Sequence, residues 1–305
     1  GLLLYRDIFD NHSPLFSTLC APFLAMAGPR ADIVIVMRWV MVPMLLLTLW
    51  ALWALARSLF GPRAALWAVV IAGVQPDLVL RGVEYRSDVL WTTCWTLFLA
   101  VFLGGRFTAR RALGSGLLLG AAFSVSMKTS LLASAVLFSL AAIAALLAVR
   151  RVRTMAAQRI ASLAATFVAG SVTLPAILIG YFGWLGVLPE LRYGVLTHNV
   201  VPGLGIWQAH PWLPLLFFPA LPVLVWGADR VLAAAPDPGS GARRAILFLT
   251  ATIYWLAVQT TWPLVTRQDW LPLVPMGTAL FVPLLFASAE RTTRRWSWTP
   301  GLRSR

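Results

Sequence analysis

Charge is what this 305-residue chain has least of: Asp, Glu, Lys and Arg together make up 12% of it, against 59% hydrophobic side chains. A soluble domain carries roughly 25% charged residues, so the deficit excludes a chain that covers its own surface in water, and equally an intrinsically disordered one. Cysteine is nearly absent. The two that occur, Cys20 and Cys94, sit inside apolar stretches and supply neither a disulfide frame nor a metal-ligand spacing. Acids number 11 against 25 bases, and the only lysine is Lys128. No G-x-x-x-x-G-K-[ST] occurs and no G-x-G-x-x-G follows a strand-like run, which removes the familiar nucleotide-phosphate cradles. The run from Gly114 to Gly120 has the wrong spacing and reads as helix packing. A net charge of +14 would suit nucleic acid only if it formed a basic stripe on a soluble face. Here the arginines fall in short clusters between apolar runs, so no nucleic-acid partner is expected.

What the chain does have is apolar length, with a mean hydropathy of +0.79. About 20 apolar residues cross the ~30 Å hydrocarbon layer as a helix, because an unpaired peptide group is too costly there for open structures. Nine spans are expected, near 32–56, 64–80, 88–104, 112–127, 129–149, 160–183, 211–228, 245–262 and 270–289, followed by a basic cytoplasmic tail at 291–305. The fold class is an all-α polytopic membrane protein. As one helix, Ala112 to Val149 would run to about 57 Å; the chain must turn near Ser126-Met127-Lys128-Thr129-Ser130, its only polar cluster. Gly116 and Gly120 form a small-xxx-small pair that admits a close neighbour.

The bases assign the sides. Arg57 and Arg63; Arg106, Arg110 and Arg111; Arg150, Arg151, Arg153 and Arg159; Arg230, Arg243 and Arg244; and the tail occupy alternate connections and hold seventeen of the 25 basic residues, so these connections are expected in the cytoplasm. The opposite connections hold eight of the 11 acids: Asp7, Asp10, Asp32, Asp77, Glu84, Asp88, Glu190 and Asp269. On that topology the chain begins outside the membrane, without a methionine or a signal-peptide pattern. A first span entering from the cytoplasm is therefore expected to be missing. The Arg- and Ala-rich usage suggests a bacterial inner membrane.

The polar residues of the outer side are the candidates for chemistry. In Tyr5-Arg6-Asp7-Ile8-Phe9-Asp10-Asn11-His12-Ser13-Pro14, either Asn11 or Ser13 caps a helix opened by Pro14, or an interfacial helix presents Asp7, Asp10 and His12 to a cavity at headgroup level. Around Arg81, Glu84, Arg86 and Asp88, either the loop charges neutralise one another and Asp88 answers a helix dipole, or guanidinium groups hold a phosphate and carboxylates hold sugar hydroxyls or a cation. Lys128 and Arg38 either snorkel at the interface or, for Lys128, contact a phosphate as a point charge. Arg267 and Asp269 either pair with each other beside a belt residue, Trp270, or line a cavity rim. His198 and His210 are too isolated to argue for a metal.

These stretches resemble the polytopic GT-C glycosyltransferases, in particular the bacterial relatives of dolichyl-phosphate-mannose–protein mannosyltransferases and of the aminoarabinose transferase. Residues 1–15 are similar to the family's G-x-x-Y-x-D…H-x-P-L stretch in its first outer loop. Glu84-Tyr85-Arg86-Ser87-Asp88 looks like the opening of the fourth family helix, Lys128 follows a Gly-rich span, and Arg267-Gln268-Asp269-Trp270-Leu271-Pro272-Leu273-Val274-Pro275 resembles the start of a late helix. The resemblance implies a GT-C-type transmembrane helical bundle with an interfacial helix in the first outer loop. It implies inverting transfer of a sugar from a polyprenyl-phosphate carrier to a hydroxyl on a lipid, glycan or protein acceptor, among membrane lipids. Catalytic candidates are Asp7, Asp10, Glu84 and Asp88; donor-phosphate candidates are Arg86, Lys128 and Arg267; substrate-binding candidates are His12 and Asp269. The resemblance fixes no cofactor; the candidate is a divalent metal ion, with Glu84 and Asp88 organising either the cavity or that metal. The family's usual base lies directly after the first span, in the part expected to be missing.

Two rival classes remain from sequence. A transporter or lipid flippase predicts ionisable residues near mid-membrane and broken internal repeats, whereas the charges here gather at one face. A non-catalytic membrane subunit is the other.

Overall fold

A computed structural model describes residues 2–152, 156–199, 212–262 and 265–296, with 213–214 and 287–296 by backbone alone. His210, Arg153 and the tail beyond residue 296 lie outside the described residues. Twelve α-helices account for the described fold: α1 Leu15–Ala27, α2 Ile33–Phe60, α3 Pro62–Val74, α4 Pro76–Gly82, α5 Ser87–Leu103, α6 Ala109–Val125, α7 Thr129–Val149, α8 Ala157–Trp184, α9 Leu188–Arg192, α10 Phe217–Ala233, α11 Pro238–Thr260 and α12 Leu273–Trp296. The only β pairing among the described residues is an isolated bridge between Leu4 and Ile8.

A helix falls at each of the nine expected spans, but they are not equals. Helices α2, α7, α8 and α11 are long and apolar enough to cross a membrane, and α3 with α4 makes a fifth span if the pair is counted as one. That pair corrects the expectation of a continuous helix at 64–80: it bends by 68°. Pro76 has no N–H and drives the residue before it out of the helical region. Gln75 accordingly sits at φ −76°, ψ 117°, and its side chain accepts from Leu78 N to cap α4. Helices α5 and α6 have 17 residues each. α5 is buried along most of its length, with Trp91, Trp95, Phe98 and Leu99 at the centre of the core.

Breaks elsewhere follow local chemistry. Gly61 at φ 91° ends α2, and Pro62 opens α3, a backbone conformation that costs glycine nothing. The apolar stretch 112–149 turns where its polar cluster predicts, between Val125 and Thr129. Neither Asn11 nor Ser13 caps α1: its N-cap is Pro14 and no side chain serves it. Asp7, Asp10 and His12 therefore precede that helix rather than lie on it.

Lipid tails offer no hydrophobic drive between helices, so close backbone approach matters more. Helices α6 and α8 show it. A Cβ on Gly116 would collide with the Phe167 carbonyl, one on Gly120 would lie 2.5 Å from Ser171 O, and one on Gly170 would lie 2.7 Å from Leu113 O. The ascending contacts mean that α6 and α8 run parallel. Polar groups inside the bundle pair across helices, Thr48 with Thr93 at 2.8 Å and Thr250 with Ser139 at 3.3 Å.

The bundle has two chemically distinct ends. At one, Arg244 donates to Leu59 O, Arg243 to Leu103 O, Arg111 to Val101 O, and Arg150 pairs with Asp229. At the other lie the starts of α5, α7 and α12, with Asp88, Lys128 and Asp269.

Candidate functional site

Three helix starts build the centre of the acidic end. Arg86 is extended (φ −148°, ψ 149°) and delivers the chain into α5, which places Asp88 in the first turn. The turn after α6 places Lys128 immediately before α7, its N–H 3.3 Å from Ser126 Oγ. Residues Arg267–Trp270 form a short 3-10 turn ahead of α12, closed by a capping box in which Thr266 N and Oγ1 both donate to Asp269 Oδ2, at 2.6 and 2.8 Å.

These three pieces meet at one ammonium group. Lys128 Nζ is 2.5 Å from Asp269 Oδ1 and 3.8 Å from Asp88 Oδ1, and Arg86 Nε donates to Asp88 Oδ2 at 3.2 Å. Asp269 Oδ1 takes no directed hydrogen bond, so Lys128 answers it as a charge rather than as an aligned donor. The side chains of Asp269 and Asp88 are 1% and 5% exposed, that of Lys128 22% and that of Arg86 48%. The anions therefore lie inside and the cations face outward. A buried carboxylate without a partner costs several kcal/mol, and Lys128 meets that need for two of them at once. Trp91 lies below it, its ring centroid 5.9 Å from Nζ and its Nε1 donating to Thr129 Oγ1 at 2.9 Å. Tyr254 OH donates to the Asp269 carbonyl at 2.8 Å and ties α11 to the turn.

A second polar group lies ahead of α1. Asp10 Oδ1 meets His12 N at 2.9 Å and His12 Nδ1 at 3.0 Å, and Ser17 Oγ donates to its Oδ2 at 2.8 Å. Burial pushes the Asp10 carboxyl up, but the His12 and Ser17 hydrogen bonds outweigh it and hold the group below the usual aspartate range. The residues 193–199 brace this loop. Asn199 Nδ2 donates to Asn11 O at 2.8 Å, and Gly194, within a π-helical turn, lies so close that a Cβ there would be 2.5 Å from Asp10 O. Tyr85, next to Arg86 in the chain, packs on Phe16 of α1 with centroids 5.3 Å apart, and its phenol is pushed up first by burial and then by Cys20, with Asp10 the smallest contribution.

Asp88, Lys128, Asp269 and Arg86 are thus brought together, and Asp10 joins His12 in a separate group ahead of α1. The other candidates stand apart. Asp7 is paired with Arg6 at 3.0 Å and accepts from Leu3 N. Glu84 faces Arg81 at 3.7 Å, and Arg81 also reaches Asp77 at 3.6 Å. Arg267 is exposed on the 3-10 turn and does not pair with Asp269. His198 packs edge-on against Phe9. Sequence reasoning passed over Trp91, Tyr254, Thr266 and Asn199. Trp91 was within reach, three residues after Asp88 on the same helix face. Thr266-x-x-Asp269 is a readable capping pattern, but Tyr254 and Asn199 carry no local signal.

A divalent cation does not suit this donor set. Among the described residues no three His, Cys, Asp or Glu groups gather at a metal-holding spacing. Asp88 and Asp269 also converge on an ammonium that already supplies the positive charge.

Solved structures with the same fold include two of an oligosaccharyltransferase from Archaeoglobus fulgidus. The AglB enzyme in complex with an inhibitory peptide and a dolichol-phosphate has a TM-score of 0.50 at 13% identity, over 96% of this chain and 44% of that one. The enzyme in complex with Zn and sulfate has a TM-score of 0.51 at 13% identity, over 94% and 42%. The chain thus spans less than half the length of these neighbours, and the likeness is one of fold. No curated protein matches. A match to the family described as dolichyl-phosphate-mannose-protein mannosyltransferase covers residues 11–179, which include His12, Glu84, Arg86, Asp88 and Lys128. That stretch is more than half of the sequence, and the chain belongs to this mannosyltransferase family.

Proposed function

We propose that the protein is an inverting glycosyltransferase that moves a sugar from a polyprenyl-phosphate carrier to a hydroxyl acceptor at the acidic end of its helical bundle, on the outer face of a bacterial cell membrane. The observation that carries the reading is Lys128, an ammonium suspended between two buried carboxylates at the meeting of three helix starts, with Arg86 beside it and its open side toward the bundle end. Family membership supports the polyprenyl-phosphate class of donor. The AglB neighbour was captured with a dolichol-phosphate and a peptide, which agrees with a phosphate-bearing lipid on the donor side and a peptide or glycan as acceptor.

In the reaction, the bond between the sugar anomeric carbon and the carrier phosphate breaks, and its electron pair stays on the phosphate oxygen. Lys128 and Arg86 stabilise that oxygen, a form of electrostatic help that is strong where water is excluded, while Arg267 stays outside the reacting set. The acceptor oxygen attacks the anomeric carbon from the opposite face and gives its proton to a carboxylate. Asp10 is the carboxylate proposed for this step, and His12 Nδ1 and Ser17 Oγ fix its orientation. Asp88 and Asp269 act through Lys128 as positioning residues. Asp7 and Glu84, spent on Arg6 and Arg81, stay outside the reacting set. No step runs through a metal.

The test is release of polyprenyl phosphate by the full chain in proteoliposomes supplied with synthetic polyprenyl-phosphate sugars and a hydroxyl acceptor. Arg86→Gln and Lys128→Met should each lower turnover by roughly 10²–10³-fold while the protein remains folded. Undiminished release in both variants overturns the reading, and so does the absence of release from every donor sugar tried.

A further inference from the structure

The opposite end of the bundle holds a feature that the transfer reaction does not use. Between the loop before α6 and the first turn of α8 lies a cavity of about 430 Å³ lined by Arg106, Phe107, Thr108 and Arg159. Both guanidinium groups are exposed, and among the described residues neither forms an ion pair. Of the other arginines at this end, Arg111, Arg243 and Arg244 bond backbone carbonyls, Arg150 pairs with Asp229, and Arg57, Arg63 and Arg230 lie over aromatic rings. Arg110 and Arg151 are exposed as Arg106 and Arg159 are, but only the latter two line the cavity.

The parallel packing of α6 and α8 brings two helix N-termini to the same cavity. α6 is capped weakly, with Thr108 Oγ1 accepting from Arg111 N at 3.4 Å, and α8 has Ala156 at its N-cap with no side-chain cap. Free amides and aligned dipoles at such ends favour an anion. Further along from their N-termini, both helices carry exposed apolar side chains: Leu113 and Leu117 on α6, Ile160 and Val168 on α8. A free phosphate would satisfy the charge alone, whereas a phosphate carrying acyl chains would also cover this apolar face. Basic pockets between helices at the cytoplasmic boundary are suited to lipid headgroups of this kind.

We propose that this cavity seats the phosphate of an anionic phospholipid headgroup, with Arg106 and Arg159 as its ligands and the acyl chains lying along the outer faces of α6 and α8. The site is independent of the transfer reading, and either can fail alone.

The experiment measures the thermal unfolding midpoint of the purified full chain in mixed micelles titrated with phosphatidylglycerol, phosphatidylcholine or inorganic phosphate. Phosphatidylglycerol should raise the midpoint, and the other two should not. Arg106→Gln with Arg159→Gln should weaken the apparent phosphatidylglycerol affinity by roughly fivefold per arginine. Arg106→Lys with Arg159→Lys should keep the preference, and Arg38→Gln, at the other end of the bundle, should leave it unchanged. Equal response to the two lipids, an undiminished response in the glutamine pair, or an equal loss in Arg38→Gln overturns the site. A shift by inorganic phosphate as large as that by phosphatidylglycerol overturns the lipid as its occupant.

Discussion

At the basic end of this bundle three guanidinium groups, those of Arg111, Arg243 and Arg244, reach for the backbone; at the centre of the acidic end the charged side chains reach for one another. Arg244 and Arg243 cap the last carbonyls of α2 and α5, at 2.8 Å from Leu59 O and 3.2 Å from Leu103 O, groups that a helix C-terminus leaves without partners. Such bonds hold helix ends together, and the arginines that make them are not the ones that line the cavity there. At the acidic end, Lys128 makes no backbone contact through its ammonium and instead stands between Asp88 and Asp269. Charge is expensive to retain there. A bundle that only needed closing could use the cheaper arrangement found at its other end, and this difference is what supports the proposed placing of the reaction at the acidic end.

The sharpest way to break that comparison is Lys128→Met. Asp269 is then buried without a cation and Asp88 keeps only Arg86, and removing one partner from a buried pair costs roughly 3–5 kcal/mol. Adding Asp269→Asn to the same chain should return most of that stability, because the unanswered charge is gone, while sugar transfer stays lost. Thermal unfolding and polyprenyl phosphate release on the single and double variants read the two effects separately. A double variant that regains transfer would reduce Lys128 to a structural counter-ion.

Arg244→Ala probes the other end. It removes one charged donor from a carbonyl, worth about 1.5–3 kcal/mol, and should lower the unfolding midpoint while turnover at saturating donor stays unchanged. A fall in turnover matching that of Arg86→Gln would dissolve the distinction between the ends.

How far the sequence carries this picture depends on whether the determinant is local. The turn at Ser126–Ser130 and a close helix contact at Gly116 and Gly120 both follow from neighbours in the chain, and the structure has each of them, the second one with α8. Lys128 stood out by being the only lysine. Asp88 and Asp269 were candidates in their own right but not as its partners, because they come to it through the packing of α5, α7 and α12, which no local pattern records. Proximity along the chain suggested Arg267 for Asp269. The Thr266 capping box instead turns that carboxylate inward, and Arg267 stays exposed. The bend at Gln75-Pro76 was readable from proline chemistry alone, but continuous hydrophobicity across 64–80 masked it.

The smallest effect separates the two carboxylate settings within the acidic end. Asp269 is answered by an ammonium, Asp10 by His12 and Ser17, whose hydrogen bonds outweigh burial and leave its carboxyl below the usual range. A group whose pKa is depressed on folding adds stability that is full above its unfolded pKa and fades as pH falls through the folded one. The stability gap between wild type and Asp10→Asn should therefore be flat near neutral pH, begin to narrow where an ordinary aspartate titrates, and close only below that range. If Asp10 takes the acceptor proton, the acid limb of turnover lies in that same window and not above it. A gap that opened on acidification, or an acid limb near neutral pH, would mean that Asp10 is not held as an anion by its three donors, and the acceptor side of the site would need another base.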